Sequence, residues 1–377
     1  MDSERGSQVY AEFGAKPIIN AVGNMTVLGG SRLSPTIQEA MVAANRYFVD
    51  MEELFKKTGE AIAEMLGAEA AFVTPGCAAA ISLSAAACMT GSDPAKIDQL
   101  PDTTGMKDEI LIQKRQRYHY DRCLTIFGAK LVEVGTNSGT NSAQLKEAIT
   151  DKTAAIHYFA PGGADGVLPP EECIRIGKAH GIPVIVDAAS QIYPLERFYQ
   201  YIKMGASLVG YGAKYFGACN STGVLCGSQE LVDAAYLHSF IGYESTPNYP
   251  VGRPLKLDRQ EIIAVAVALR EWVNMDHEER IAGHWRKTDA LQYALADIPN
   301  VTTERVIDER SLGNGLRVTL NEEKLGKTAS QIIDALSESD PGILANSGGN
   351  SIHFAVAHLL DEDVEIIAER LQALLTA

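Results

Sequence analysis

Gly181-Ile182-Pro183-Val184-Ile185-Val186-Asp187-Ala188-Ala189-Ser190 is the stretch that decides the fold. A Gly and a Pro break the chain, an unalternated apolar run follows, and the run ends in a carboxylate and small residues. Such a run describes a strand buried on both faces, the pattern of a parallel strand covered by helices. An acid at its end is costly unless a cation or a strong donor meets it. A strand-end turn or a helix N-cap is the other use for an aspartate there.

Working outward, comparable runs occur at 70–73, 109–112, 130–134, 154–159, 208–210 and 223–226. Most are separated by helix-compatible segments such as 170–180 and end in Gly, Pro, Asp or Ser. That rhythm predicts an α/β unit with a mostly parallel, twisted sheet and helices on both faces. Before it, residues 17–91 alternate Gly-rich loops with helical stretches, the clearest at 34–45 and 51–66. After it, one long helix over 258–277 leads into strand-like segments at 300–306, 316–320, 342–347 and 351–356. Helix candidates at 328–337 and 361–375 interrupt these, which predicts a smaller α+β domain. The expected organisation is an N-terminal arm with a substrate loop over 1–50, a large domain over 51–275 and a small C-terminal domain over 276–377.

A chain of 377 residues is too long for one ordinary core, and 46% hydrophobic with 21% charged residues is a globular mixture. The formal charge of −15 disfavours a nucleic-acid partner, whose affinity rests on cations. Cys77, Cys88, Cys123, Cys173, Cys219 and Cys226 include no Cys-x-x-Cys pair, so neither a metal site nor a disulfide framework is expected. The start, Met1-Asp2-Ser3-Glu4-Arg5-Gly6, lacks a basic-then-apolar leader, and no apolar run is long enough for a bilayer. A cytoplasmic address without a membrane partner is expected.

Three segments fall where open parallel sheets place ligands, at loops following strands. Thr74-Pro75-Gly76-Cys77-Ala78-Ala79-Ala80-Ile81 leaves a strand and opens a helix, with small residues that let an anion approach backbone N–H groups. The same turn can serve packing alone. Asp187 is the second, and a protonated ring nitrogen is one partner that would suit it. Ser207-Leu208-Val209-Gly210-Tyr211-Gly212-Ala213-Lys214 is the third, a lysine at a strand tip where desolvation favours the free amine, able to form an imine. Asp187 and Lys214 are one strand–helix–strand step apart.

These segments, together with Pro17-Ile18-Ile19-Asn20-Ala21-Val22-Gly23, Leu28-Gly29-Gly30-Ser31, Phe48-Val49-Asp50-Met51, Gly67-Ala68-Glu69-Ala70-Ala71, Leu131-Val132-Glu133-Val134-Gly135 and Gly252-Arg253-Pro254-Leu255-Lys256, resemble the fold-type I enzymes that use pyridoxal 5′-phosphate. The likeness is to the branch of selenocysteine synthase and the D-glucosaminate-6-phosphate ammonia-lyase-like proteins, and it runs nearly end to end. The resemblance implies a fold-type I architecture with a mostly parallel, seven-stranded-type sheet. It implies Lys214 as the Schiff-base lysine, Asp187 as the partner of the pyridine nitrogen and Gly76, Cys77 and Ala78 as the phosphate turn. It also implies Ser190 near the cofactor's phenolic oxygen and Gln116 at the place where relatives carry a ring-stacking histidine, with Tyr118 or His119 as possible substitutes. Tyr211 and Asn220 also depart from the family's pattern, in the space around the lysine.

For a substrate carboxylate, Arg253 is the first candidate, followed by Arg317 and Arg32, because a forked guanidinium matches a carboxylate; each of the three equally suits a surface ion pair. His157, central in a strand, could approach the cofactor. The resemblance implies a lyase acting on a small amino acid, in which Cα-proton abstraction and β-elimination give a 2-oxo acid and ammonia. Alternatives are a racemase or aldolase, a selenium transferase on seryl-tRNA, and a binding module without catalysis. A homodimer or higher homo-oligomer is expected.

Overall fold

The computed structural model describes residues 3–307 and 314–376. Two compact units emerge, one formed by Arg32–Asn274 and the other by Met1–Ser31 with Met275–Ala377. The segment 1–50, expected as one arm, is therefore divided between them. Strand β1 (Ile18–Ala21) is a piece of the smaller unit.

The larger unit is built on β2 (Ala70–Thr74), β3 (Glu109–Gln113), β4 (Lys130–Val134), β5 (Thr153–Phe159), β6 (Val184–Asp187), β7 (Leu208–Gly212) and β8 (Gly223–Gly227). They form one seven-stranded sheet in the order β2-β8-β7-β6-β5-β3-β4. β3 to β7 run parallel, β8 is antiparallel to β7, and β2 is antiparallel to β8. The carboxyl ends of β2, β5, β6 and β7 and the amino end of β8 thus share one edge. The seven apolar runs read in the sequence are these seven strands.

Helix Gly76–Thr90 packs on this sheet and is buried along nearly its whole length from Ala79. Its Ala and Ser content is what permits such close seating. A Cβ on Gly210 of β7 would lie 3.1 Å from Cys77 Sγ and 3.2 Å from Ala80 Cβ. The buried Ser82 hydroxyl donates to the carbonyls of Ala78 and Cys123, and that of Ser84 to Ala80, which offsets the cost of burying them. Helix Met51–Leu66 is amphipathic instead, burying Phe55, Thr58, Gly59, Ile62, Ala63 and Leu66. Asp50 caps its start by accepting from Glu53 N–H, and Gly67 ends it at φ 68°. Gly59 is required there, because a Cβ would stand 2.2 Å from the Ala71 carbonyl oxygen.

The helix expected over 258–277 is the helix Arg259–Asn274, and a second, unexpected helix, His277–Leu295, follows it. Asp276 ends the continuity, since its side chain accepts from Glu279 N–H and caps the second helix. In the smaller unit, β9 (Val301–Val306), β10 (Gly315–Leu320), β11 (Gly342–Gly348) and β12 (Ser351–Ala355) join β1 in the order β1-β11-β12-β10-β9. Ile19, Leu291, Leu316, Phe354, Ile367 and Leu371 belong to its apolar core. Among the described residues, no helix is long and apolar enough to cross a membrane.

Candidate active site

The common edge of the larger sheet gathers the chemistry. Thr74 ends β2 and leads through Pro75 into helix Gly76–Thr90, whose first residue has φ 80°. Pro75 supplies no side-chain cap, so the first N–H groups of a long, buried helix are left for another acceptor. A Cβ on Gly223, at the start of β8, would meet Gly76 C at 2.5 Å and Cys77 N at 2.7 Å. The turn and the strand therefore touch backbone to backbone, which explains the small residues on both.

Asp187 ends β6, is 4% exposed, and its backbone pairs with Gly210 of β7. Its Oδ1 accepts from Ala189 N–H at 3.1 Å and from the Cys77 thiol at 3.3 Å. Its Oδ2 accepts from the Tyr118 hydroxyl at 2.5 Å. Burial, and then the charge of Asp187, push both the Cys77 thiol and the Tyr118 phenol up in pKa, so both stay protonated donors. Lys214 lies just past β7 in the turn Ala213–Phe216, half-buried, with Nζ 5.3 Å from the centre of the Tyr215 ring. Desolvation lowers its pKa, the shift that favours a free amine.

His157, in β5, is fully buried and held down to about 4 by that burial. Its Nε2 is 3.2 Å from the Tyr118 hydroxyl, while its Nδ1 is buried without a hydrogen-bond partner. Ser190 is half-buried on the loop after Asp187 and accepts from Gln191 Nε2 at 3.4 Å.

Gln116, expected at the ring-covering place, is hydrogen-bonded through its amide to neighbouring groups. Its Nε2 donates to the Phe159 carbonyl at 2.8 Å, and its Oε1 accepts from Phe159 N–H at 3.4 Å and from Gln113 Nε2 at 3.4 Å. The amide is committed to the end of β5. Tyr118, two residues on, is the aromatic group that reaches Asp187, while His119 is exposed.

Tyr211 is also turned elsewhere. Side chains alternate along a strand, and because Gly210 faces Cys77 and Ala80, Tyr211 points to the opposite face. There its hydroxyl donates to the Phe198 carbonyl at 2.6 Å, and its ring meets that of Phe198 edge-on at 4.8 Å. Tyr211→Phe is expected to cost about 0.5–1.5 kcal/mol of stability by removing one buried hydrogen bond, with turnover unchanged. Urea unfolding beside a rate assay checks this, and a rate defect at full stability would put Tyr211 back in the site.

The three arginines are placed as follows. Arg253 pairs with Glu244 at 2.8 Å and lies over the Tyr243 ring. Arg317, in the smaller unit, pairs with its cross-strand neighbour Glu304 at 2.6 Å. Arg32 is exposed where the larger unit begins. Among the described residues no group of three His, Cys, Asp or Glu could hold a metal ion.

The arrangement bears on pyridoxal 5′-phosphate, the group the resemblance implies. An uncapped helix start suits a phosphate, a half-buried desolvated amine suits an aldehyde, and a buried carboxylate whose observed donors are all neutral suits a cationic ring N–H. The residues present fit the group.

No family model matches the chain. Compared with individual proteins, it is 31% identical over 356 residues to 5′-C-glycyluridine monooxygenase-decarboxylase from a Streptomyces species, covering 91% of this chain and 85% of the relative. It is 27% identical over 379 residues to D-glucosaminate-6-phosphate ammonia lyase from Salmonella typhimurium, covering 98% and 96%. A solved structure of an ammonia-lyase of that name superposes with a TM-score of 0.86 over 98% of both chains at 25% identity. L-seryl-tRNA(Sec) selenium transferase from Moorella thermoacetica is 24% identical over 406 residues, covering 94% of this chain and 81% of the relative. A strand-end edge that fits pyridoxal 5′-phosphate, carried by a chain alike over its whole length to these proteins, makes this a fold-type I pyridoxal 5′-phosphate-dependent enzyme of the selenocysteine synthase and D-glucosaminate-6-phosphate ammonia-lyase-like family.

Proposed function

We propose that this enzyme is a lyase that removes the Cα proton of a small amino acid and eliminates its β-substituent, yielding a 2-oxo acid and ammonia. The observation that carries the reading is the pairing of a buried carboxylate, Asp187, with a desolvated amine, Lys214, at the carboxyl ends of neighbouring parallel strands. The full-length likeness to an ammonia-lyase supports the outcome.

Bound at this edge, pyridoxal 5′-phosphate supplies an electron sink for the charge left at Cα. The N–H groups of Gly76, Cys77 and Ala78 hold the phosphate. Asp187 holds the ring nitrogen in its protonated form. Ser190 would be available to the phenolic oxygen. Lys214 would hold the cofactor's aldehyde, and its free amine would take the Cα proton on Nζ. The C–H electron pair would form the new Cα–Cβ double bond as the β-substituent leaves with its own pair; the released enamine would take a proton at Cβ, and water would hydrolyse the resulting imine to the 2-oxo acid and ammonia. Arg253, Arg317 and Arg32 remain the candidates for the substrate carboxylate. Arg253 and Arg317 would each exchange a surface glutamate for it.

A second reading is supported by the relative at 31% identity, whose name describes a monooxygenase-decarboxylase. Under it, Cα would lose carbon dioxide, and its electrons would reduce dioxygen so that one oxygen atom enters the product and the other leaves as water. Assaying D- and L-amino acids, free and phosphorylated, for ammonia, 2-oxo acid, carbon dioxide and oxygen uptake separates the two. Ammonia and a 2-oxo acid in equal amounts without oxygen uptake are expected. Oxygen uptake matched by carbon dioxide would replace the lyase reading, and loss of optical rotation alone would replace it with a racemase.

A further inference from the structure

Asp187 has about four acceptor positions on its two oxygens. Ala189 N–H and the Cys77 thiol use Oδ1, and the Tyr118 hydroxyl uses Oδ2, leaving room for one further donor. The Tyr118 contact, at 2.5 Å, is in the range of strong O–H···O⁻ bonds. A phenol has a single proton, and an ionised carboxylate can only accept. The Tyr118 oxygen must therefore accept from His157 Nε2–H at 3.2 Å, which fixes the imidazole as the neutral Nε2–H tautomer. The bare, buried Nδ1 without a partner agrees with that assignment, as does a pKa held at about 4 by burial.

The Tyr118 ring is fixed as well as its hydroxyl. It stacks on Phe159 with centroids 4.0 Å apart at 15°, and lies parallel to the His157 ring at 3°. Phe159 is in turn held through its backbone by Gln116. Gln116 thus holds the end of β5 against which Tyr118 is braced.

We propose that Tyr118 is a positioning residue: its hydroxyl, oriented by His157, completes the shell of Asp187 and sets how strongly that carboxylate draws the proton of the cofactor's ring nitrogen. This rests on reading Asp187 as the partner of that nitrogen. Each hydrogen bond donated to a carboxylate stabilises its charged form and lowers its basicity. Without the Tyr118 donor, the charge on Asp187 would be less well stabilised, and the carboxylate would draw the ring proton more strongly.

The test uses the full-length protein loaded with pyridoxal 5′-phosphate labelled with ¹⁵N in the ring, read by NMR at one pH. Tyr118→Phe keeps the ring and its stack, so the nitrogen resonance is expected to shift toward that of an unprotonated ring. Incorporating 3-fluorotyrosine at position 118, a stronger donor, is expected to shift it the opposite way. His157→Gln serves as a second variant and is expected to give a smaller shift in the same sense as Tyr118→Phe. Asp187→Asn is the control for the underlying reading. If it leaves the resonance unmoved, Asp187 is not the ring partner and both ideas fall. If it moves the resonance while Tyr118→Phe leaves it at the wild-type position, the role of Tyr118 alone is overturned.

Discussion

Lys214→Ala is expected to lower turnover by about 10²–10⁴-fold, the range that a positioned general base contributes, and to leave the bound cofactor unattached to the chain. The amine lies just beyond the end of β7 in a short turn, half-buried, with desolvation depressing its pKa. Among the described residues, Lys114, which follows β3 on the same edge, is exposed and 3.8 Å from Glu133, so it does not readily replace Lys214. Two readouts check the claim. Borohydride followed by peptide mass mapping should label the peptide containing position 214 in the native protein and none in the variant. A small amine such as methylamine should restore part of the lost rate, because it replaces the proton acceptor without replacing the tether. Wild-type turnover in the variant would remove Lys214 from the chemistry.

Asp187→Asn should cost turnover about 10²–10³-fold, the size of effect seen when one preorganised electrostatic contact in a dry site is lost. The two variants differ in what they do to the cofactor-free protein. Asp187 is almost wholly buried, and its observed donors, Ala189 N–H, the Cys77 thiol and the Tyr118 hydroxyl, are all neutral. A charge held that way costs desolvation that no cation repays until a ligand arrives. The asparagine variant should therefore unfold at the same temperature as the parent or a higher one when both are stripped of cofactor, and at a lower one when both are saturated. Thermal melts with and without pyridoxal 5′-phosphate decide the matter. A variant destabilised even when stripped would make Asp187 a structural residue.

The larger sheet was legible in the sequence because its strands are buried on both faces, so each reads as an apolar run between turn residues. The placement of Asp187 and Lys214 at strand ends was legible for the same reason, since a polar residue stands out where such a run stops. β1 was missed, because Ile18–Ala21 is only four residues long and its pairing partner, β11, is nearly the whole chain away. Helix His277–Leu295 was also missed. It follows the preceding helix after two residues, and the clue was the sequence Asp276-His277-Glu278-Glu279, an N-cap with acids in the first turn.

In the site, the role of Gln116 lies in a bond to the backbone of Phe159, a long-range partner that no local spacing reveals. Tyr211 is a different case. Strand alternation alone puts it on the face opposite Gly210, but only the structure shows that the helix Gly76–Thr90 lies on the Gly210 side. The hydroxyl of Tyr118, on a loop, and the thiol of Cys77, in the first turn of a helix, converge on one carboxylate from segments far apart in the chain, and nothing in either segment's own sequence announces the meeting.

The parallel pairing of Ile18 with Gly342 has a consequence for biosynthesis. The first strand leaves the ribosome long before its partner exists, and its edge stays unsatisfied while more than three hundred further residues are made. The unit spanning Arg32–Asn274 is continuous and can close on its own during translation, whereas the other unit must wait for the last turns of the polypeptide. A nascent chain halted before residue 342 should then show a protease-resistant middle between a cleavable front and a cleavable tail.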